Sequence, residues 1–255
     1  MQIGFCGKPA AAAQAAAARF DYLELPVNLI AGQTEAEFEE TKAAVLSAGI
    51  PTPAFNLLFP KDMALLSGDM TDEKIGLYLE RAFERVQALG GRVAVFGSGK
   101  SRNRPEGLIY SDAFLRLAAI SRLAGEIAGK HGVTVVIEPL NRGESNMINS
   151  LAEGAALVAA AGHPCVRLLA DYYHIAVDGE PVEDIRRLGG IAHAHIATKE
   201  GRRVPLQPDE GYRRMFAAMK QTGYTGMLSI EGKSDDLGAD GPVAVRMLKQ
   251  LWEEA

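Results

Sequence analysis

At 255 residues with 47% hydrophobic content, the chain can bury one large core, and no stretch reaches the length of a membrane span. A formal net charge of −5 argues against broad electrostatic affinity for nucleic acid. The two cysteines, Cys6 and Cys165, give no disulfide framework, and the opening MQIGFCGK lacks the parts of a secretory signal, so a cytoplasmic setting is expected.

Short apolar β-type runs alternate with helical patterns along the whole chain, without a linker or a composition break, which predicts one domain over residues 1–255. Strands are expected at 2–6, 22–25, 52–56, 92–96, 133–138, 166–171, 191–196 and 227–231. Helices are expected at 10–19, 35–48, 72–89, 111–131, 150–161, 182–188, 209–221 and 242–254. Glycines at several helix-to-strand junctions, such as Gly49, Gly132 and Gly162, fit helices that stop on a left-handed residue. Eight β/α units near this length match a single (β/α)₈ TIM barrel, with an open doubly wound sheet as the rival arrangement. The alanine tract at 10–18 reads as a small-residue helix packed close to the barrel, since Ala has the highest helix propensity.

The run VTVVIE, followed by Pro139, organises the chemistry. Its β-branched residues suit a buried strand, and proline cannot continue a central ladder, so Glu138 should stand at the carboxyl end of its strand. Three later strands end likewise: Asp171 closes RLLAD, His195 sits in IAHAHIA, and Glu231 closes MLSIE. One such charge is readily a salt bridge or a capped turn. Four on successive strands at the expected barrel mouth point to a site, because a desolvated carboxylate needs a partner or a cation. His193 shares a face with His195 but lies roughly 6.6 Å deeper along the strand, which suits a core histidine. Three carboxylates and one imidazole form a hard, oxygen-rich set that favours Mn²⁺, Mg²⁺ or Co²⁺ and admits Zn²⁺; no cysteine belongs to it. Glu144, His174, Arg202 and Arg203 follow these strand ends in loops of the same face.

This constellation resembles the xylose-isomerase-like TIM-barrel superfamily of sugar isomerases and epimerases, and within it the D-tagatose/D-psicose 3-epimerase family. The resemblance covers the eight β/α units and is sharpest from Glu138 onward. It implies that Glu138, Asp171, His195 and Glu231 hold a divalent metal ion, with Mn²⁺ favoured. It also implies substrate contacts from Glu144, six residues after Glu138, and from His174, three after Asp171. The family's substrate arginine falls six residues after the metal histidine, where this chain has Gly201, so Arg202 and Arg203 are both candidates. The last ligand is followed by Gly232 in place of the frequent proline.

The implied activity is C3 epimerisation of a free ketose. In that scheme Glu138 and Glu231 would act as base on one face and acid on the other, through a cis-enediolate that a divalent metal would stabilise. Lys8, Phe55, Phe59 and the loop at 97–107 are expected to shape the distal pocket, and that loop's Gly, Ser, Lys and Arg content could take a phosphate. Aldose–ketose isomerisation of the hydroxypyruvate isomerase type uses the same enediolate, as does a dehydratase or lyase acting on keto-inositols or 3-keto-glycosides. The DNA-repair endonuclease IV group shares the barrel, but its trinuclear zinc site needs histidines on early strands, and no histidine here precedes His131. A non-catalytic metal- or sugar-binding barrel is the reading from another class. The expected partner is a small sugar, with neither nucleic acid nor membrane. Family members are commonly homo-oligomers, although this sequence carries no self-association motif.

Overall fold

A computed structural model describes residues 1–255. Eight parallel strands, β1 (Gln2–Cys6), β2 (Tyr22–Pro26), β3 (Ala54–Asn56), β4 (Val93–Phe96), β5 (Thr134–Ile137), β6 (Val166–Asp171), β7 (Ile191–Ile196) and β8 (Met227–Ile230), close in sequence order with β8 against β1. Helices between the strands complete a (β/α)₈ barrel, and the last helix, Leu237–Glu254, packs beside β1. No helix is long and apolar enough to cross a membrane.

The alternation of strand side chains sorts the core into two parts. One face of each strand joins the helices in a cluster of 65 buried residues, whereas Tyr22, Ala54, Val93, Val95, Val136 and Leu169 fill the barrel interior. On β3 this places Ala54 inside and Phe55 outside. The Phe55 ring lies against Gly91, where a Cβ would come within 2.5 Å of it. Phe55 is therefore part of the helix-facing core and not of a distal pocket, because a three-residue strand leaves only Ala54 and Asn56 for the inner face.

One irregularity sets the phase of β7. Leu168 pairs with Ile191, but Leu169 pairs with His193, so Ala192 is an extra residue on β7. Before this bulge Ile191 faces outward beside Leu168; after it His193 lies beside the inward Leu169. The bulge turns His193 and His195 towards the barrel axis.

The expected helices form, with three differences. The alanine tract splits into a 3₁₀ turn, Pro9–Ala11, and a short helix, Ala12–Ala17, whose buried Ala12 and Ala15 allow close packing beside the last helix. That last helix starts at Leu237, capped by the Asp236 carboxylate, and carries Pro242 inside it rather than at its start. Proline loses one helical hydrogen bond there, but Gly241 beside it sits against Ala18 and Phe20, and that packing holds the extra turn. Short helices Val27–Gly32 and Tyr172–Asp178 follow β2 and β6 directly, and Gly99–Arg102 follows β4 after Gly97 and Ser98, where no helix is expected from the sequence. Their lengths of four to seven residues leave little room for a periodic signal.

Candidate active site

The inward phase continues to the mouth, so Glu138, Asp171, His195 and Glu231 converge from β5, β6, β7 and β8. One ligand atom from each lies within 4.8 Å of the others, a set that could hold a metal ion. Glu138 and Glu231 stand one residue past their strands but remain tied to the barrel through their backbone N–H groups, which donate to Phe96 and Ile196. His195 Nδ1 lies 3.2 Å from Glu138 Oε1 and 3.4 Å from Glu231 Oε2. Glycine at the end of β4 makes room for this: a Cβ on Gly97 would fall 1.9 Å from Glu138 Oε2.

Asp171 also caps the helix Tyr172–Asp178. Its Oδ1 accepts from the Tyr173 N–H at 2.8 Å, while Oδ2 is buried without a hydrogen-bond partner. The cap starts a helical turn that brings His174, three residues on, back beside it, with Nε2 3.5 Å from Asp171 Oδ2. Asn141 donates its backbone N–H to His174 Nδ1, so the network assigns the ring proton to Nε2, on the side of the carboxylate cluster. The Asn141 side chain also donates to Glu144 at 3.2 Å. A residue unremarked in the sequence thus couples Glu144 to His174.

Arg202 and Arg203 part ways. Arg202 adopts a left-handed backbone, φ 49°. Its guanidinium reaches inward over the Tyr173 ring to pair with Glu231 at 2.5 Å and Glu144 at 3.1 Å. Arg203 points out and pairs with Asp235 at the surface.

Burial pushes the Asp171 carboxyl above its ordinary range, with His174 only partly opposing it. Burial pushes Glu231 the same way, but the His195 hydrogen bond and charge, with Arg202, outweigh it and hold Glu231 down at about 2. Desolvation works against the Arg202 cation, yet Glu231 and Asp171 more than compensate and raise its pKa.

Beneath the cluster lies a second polar layer, which sequence reading missed. Glu24 on β2 is fully buried, with Oε2 2.8 Å from His193 Nε2 and Oε1 2.9 Å from His195 Nε2. Ser229 donates to the same Oε2 at 2.5 Å, and Tyr22 O–H lies 2.6 Å from Ser229. Tyr22 reaches β8 across β1, over Gly4, where a Cβ would stand 2.2 Å from its ring. The signal was present: Glu24 is the lone charge in YLELP, two residues before a proline. Two further groups went unnoticed. Cys6 lies with Glu24 and His195 in a second set of potential ligand atoms within 4.8 Å, and Asn56 donates to Glu231 at 3.4 Å.

Across the mouth, a cavity of about 470 Å³ is lined by Asn28, Leu57, Phe59, Lys61, Ser98 and Lys100, among others. Phe59 and part of the 97–107 loop shape it as expected; Lys8 does not line it. Arg102 of that loop is buried and donates to the carbonyls of Phe96 and Ile148, so its guanidinium is engaged inside the protein.

Comparison with known proteins agrees with this architecture. A family model described as xylose isomerase-like TIM barrel matches residues 12–252. The 3-dehydro-D-guloside 4-epimerase of Escherichia coli (strain K12) is 27% identical over 230 residues, covering 84% of this chain and 82% of that protein. The D-psicose 3-epimerase of Agrobacterium fabrum (strain C58) is 31% identical over 107 residues, 42% of this chain and 37% of the relative. In three dimensions, D-allulose 3-epimerase from Methylomonas sp. in complex with D-allulose superposes with a TM-score of 0.85 over 98% of this chain and 96% of its own, at 20% identity, a likeness of fold. The matched relatives are epimerases and isomerases, and this chain belongs to the xylose isomerase-like TIM-barrel family as an enzyme of the isomerase class.

Proposed function

We propose that this enzyme is a metal-dependent sugar epimerase that inverts the carbon next to a ketone, with C3 of a free ketose as the reacting position. The observation that carries the reading is the pair of carboxylates, Glu138 and Glu231, which meet at His195 Nδ1 from the ends of β5 and β8, two strands separated by β6 and β7. Two carboxylates so placed can remove a proton from one face of a carbon and return one to the other. Glu138 and Glu231 divide the two roles between them, one taking the proton and the other returning it.

Glu138, Asp171, His195 and Glu231 would hold the divalent ion, with Mn²⁺ favoured and Mg²⁺, Co²⁺ or Zn²⁺ compatible with the same donors. The buried, unpartnered Asp171 Oδ2 supports that fit. A cation held there would supply positive charge against the negative charge that develops on the carbonyl oxygen as the proton leaves. His174, through Nε2–H, and Arg202 donate to substrate oxygens, while Glu144 accepts from a hydroxyl. Arg203, engaged with Asp235, has no substrate role in this scheme.

A second reading, inversion of C4 beside the ketone of a 3-keto-glycoside, is favoured by the match across 82% of 3-dehydro-D-guloside 4-epimerase. The cavity across the mouth would then receive the rest of the glycoside. Incubating the Mn²⁺-loaded protein in D₂O with ketoses, aldoses and 3-keto-glycosides, followed by NMR, separates the two. Deuterium at C3 together with the epimeric ketose is the expected result. Deuterium at C4 of a keto-glycoside selects the second reading, and exchange at C1 or C2 with an aldose product makes the enzyme an aldose–ketose isomerase. An elimination product, or no exchange with any of them, overturns the epimerase reading.

A further inference from the structure

We propose that Glu24 is a positioning residue that fixes the orientation of His195 and holds a proton on its Nε2, so that Nδ1 is the nitrogen offered to a cation among Glu138, Asp171 and Glu231. An ionised carboxylate has only acceptor oxygens, so the His195 Nε2 that faces Glu24 Oε1 at 2.9 Å carries a proton. Nδ1 faces Glu138 at 3.2 Å and Glu231 at 3.4 Å and donates to these carboxylates in the cation-free protein. A cation would take the place of that proton and not of the other, because Glu24 keeps its own on Nε2. The inference rests on the reading of that cluster as a cation site.

The rest of the lower layer holds Glu24 in place for this task. Ser229 and His193 both engage Oε2, which leaves Oε1 to His195. Tyr22 braces Ser229 from across β1, and Gly4 supplies the space for its ring. The His193 and His195 rings meet edge-on, with centroids 5.1 Å apart at 81°, which limits the ring flip that would exchange Nδ1 for Nε2. A carboxylate with no exposure is costly to bury, and here each oxygen faces a histidine donor and one also receives a hydroxyl. His193, read from the sequence as a core residue, thereby gains a part in the site.

The test measures Mn²⁺ affinity by calorimetry for wild type, Glu24→Gln and Ser229→Ala. It adds ¹⁵N imidazole spectra of the Mg²⁺-loaded wild type and thermal melts of the metal-free proteins. Glutamine keeps the volume but sets an NH₂ group opposite one of the two histidine donors. Mn²⁺ affinity should fall roughly 10- to 100-fold, the usual effect of removing an outer-shell partner of a metal-bound histidine, with little change in the metal-free melt. Ser229→Ala retains both Glu24–histidine contacts and should show a smaller loss. The wild-type spectrum should show His195 protonated at Nε2 and bare at Nδ1.

Unchanged Mn²⁺ affinity in a folded Glu24→Gln protein overturns the inference, as does a protonated Nδ1 on His195 in the loaded wild type. If Glu24→Gln does not fold, the wild-type spectrum decides alone. Absence of Mn²⁺ binding by the wild type instead overturns the cation reading, and this inference with it.

Discussion

Two polar layers lie one above the other in this barrel, and they are finished differently. In the lower, Glu24 is matched by His193, His195 and Ser229, and Tyr22 closes the chain. In the upper, Glu138, Asp171 and Glu231 crowd around a single imidazole, Asp171 Oδ2 has no hydrogen-bond partner, and Arg202 reaches in from a loop. A buried carboxylate with both oxygens matched holds its neighbours in place, even with His193 Nδ1 left without a partner, whereas a cluster of like charges is costly to fold and is kept where chemistry uses it. The lower layer therefore reads as support and the upper as working surface.

The largest test of that contrast is Glu231→Gln. Losing one partner in proton transfer should lower kcat by about 10²- to 10⁴-fold. Near-normal turnover in the exchange assay would remove Glu231 from the acid–base pair. Arg202 and Arg203 sharpen the comparison between working and surface positions. Arg202→Ala should raise KM by about tenfold or more, the scale of a lost charge-assisted contact. Arg203→Ala should change it little, since an exposed ion pair contributes little; equal effects in steady-state kinetics would erase the distinction drawn between them. The smallest effect on chemistry, and a clear one on stability, is expected from Gly4→Ala. The added methyl collides with the Tyr22 ring and should cost about 1–3 kcal/mol in urea unfolding, the range for overpacking. A wild-type unfolding midpoint would show that the lower layer yields more easily than its contacts suggest.

Much of the barrel was legible because its signals are local. β-branched runs between capped helices name the strands, and the eight-fold count names the closure. The mouth residues Glu138, Asp171, His195 and Glu231 were legible for the same reason: each is a polar residue at or beside the end of an apolar strand, and alternation carries it inward. Glu24 obeys the same rule but sits inside its strand, where a single charge between leucines reads as an interruption. Asn141 and Asn56 gave no signal at all, since an uncharged amide in a loop or at a strand end has many uses and only its partners distinguish them. Phe55 and Phe59 lie four residues apart in one segment, yet one faces the helices and the other the cavity; composition does not decide between these.

Local sequence dictates the eight strands, the longer helices and the residue types at the strand ends, because propensity, periodicity and proline stops act over a few neighbouring residues. Tertiary structure decided which way those residues face and what they meet. The extra residue at Ala192 turns both histidines of β7 inward, and it exists only in the pairing of β7 with β6. Glu24 meets His195 across 171 residues of chain, and Arg202 reaches Glu231 while its neighbour points away. These contacts depend on barrel closure and on a left-handed turn, which bring together groups too distant in the chain for any local pattern to couple them.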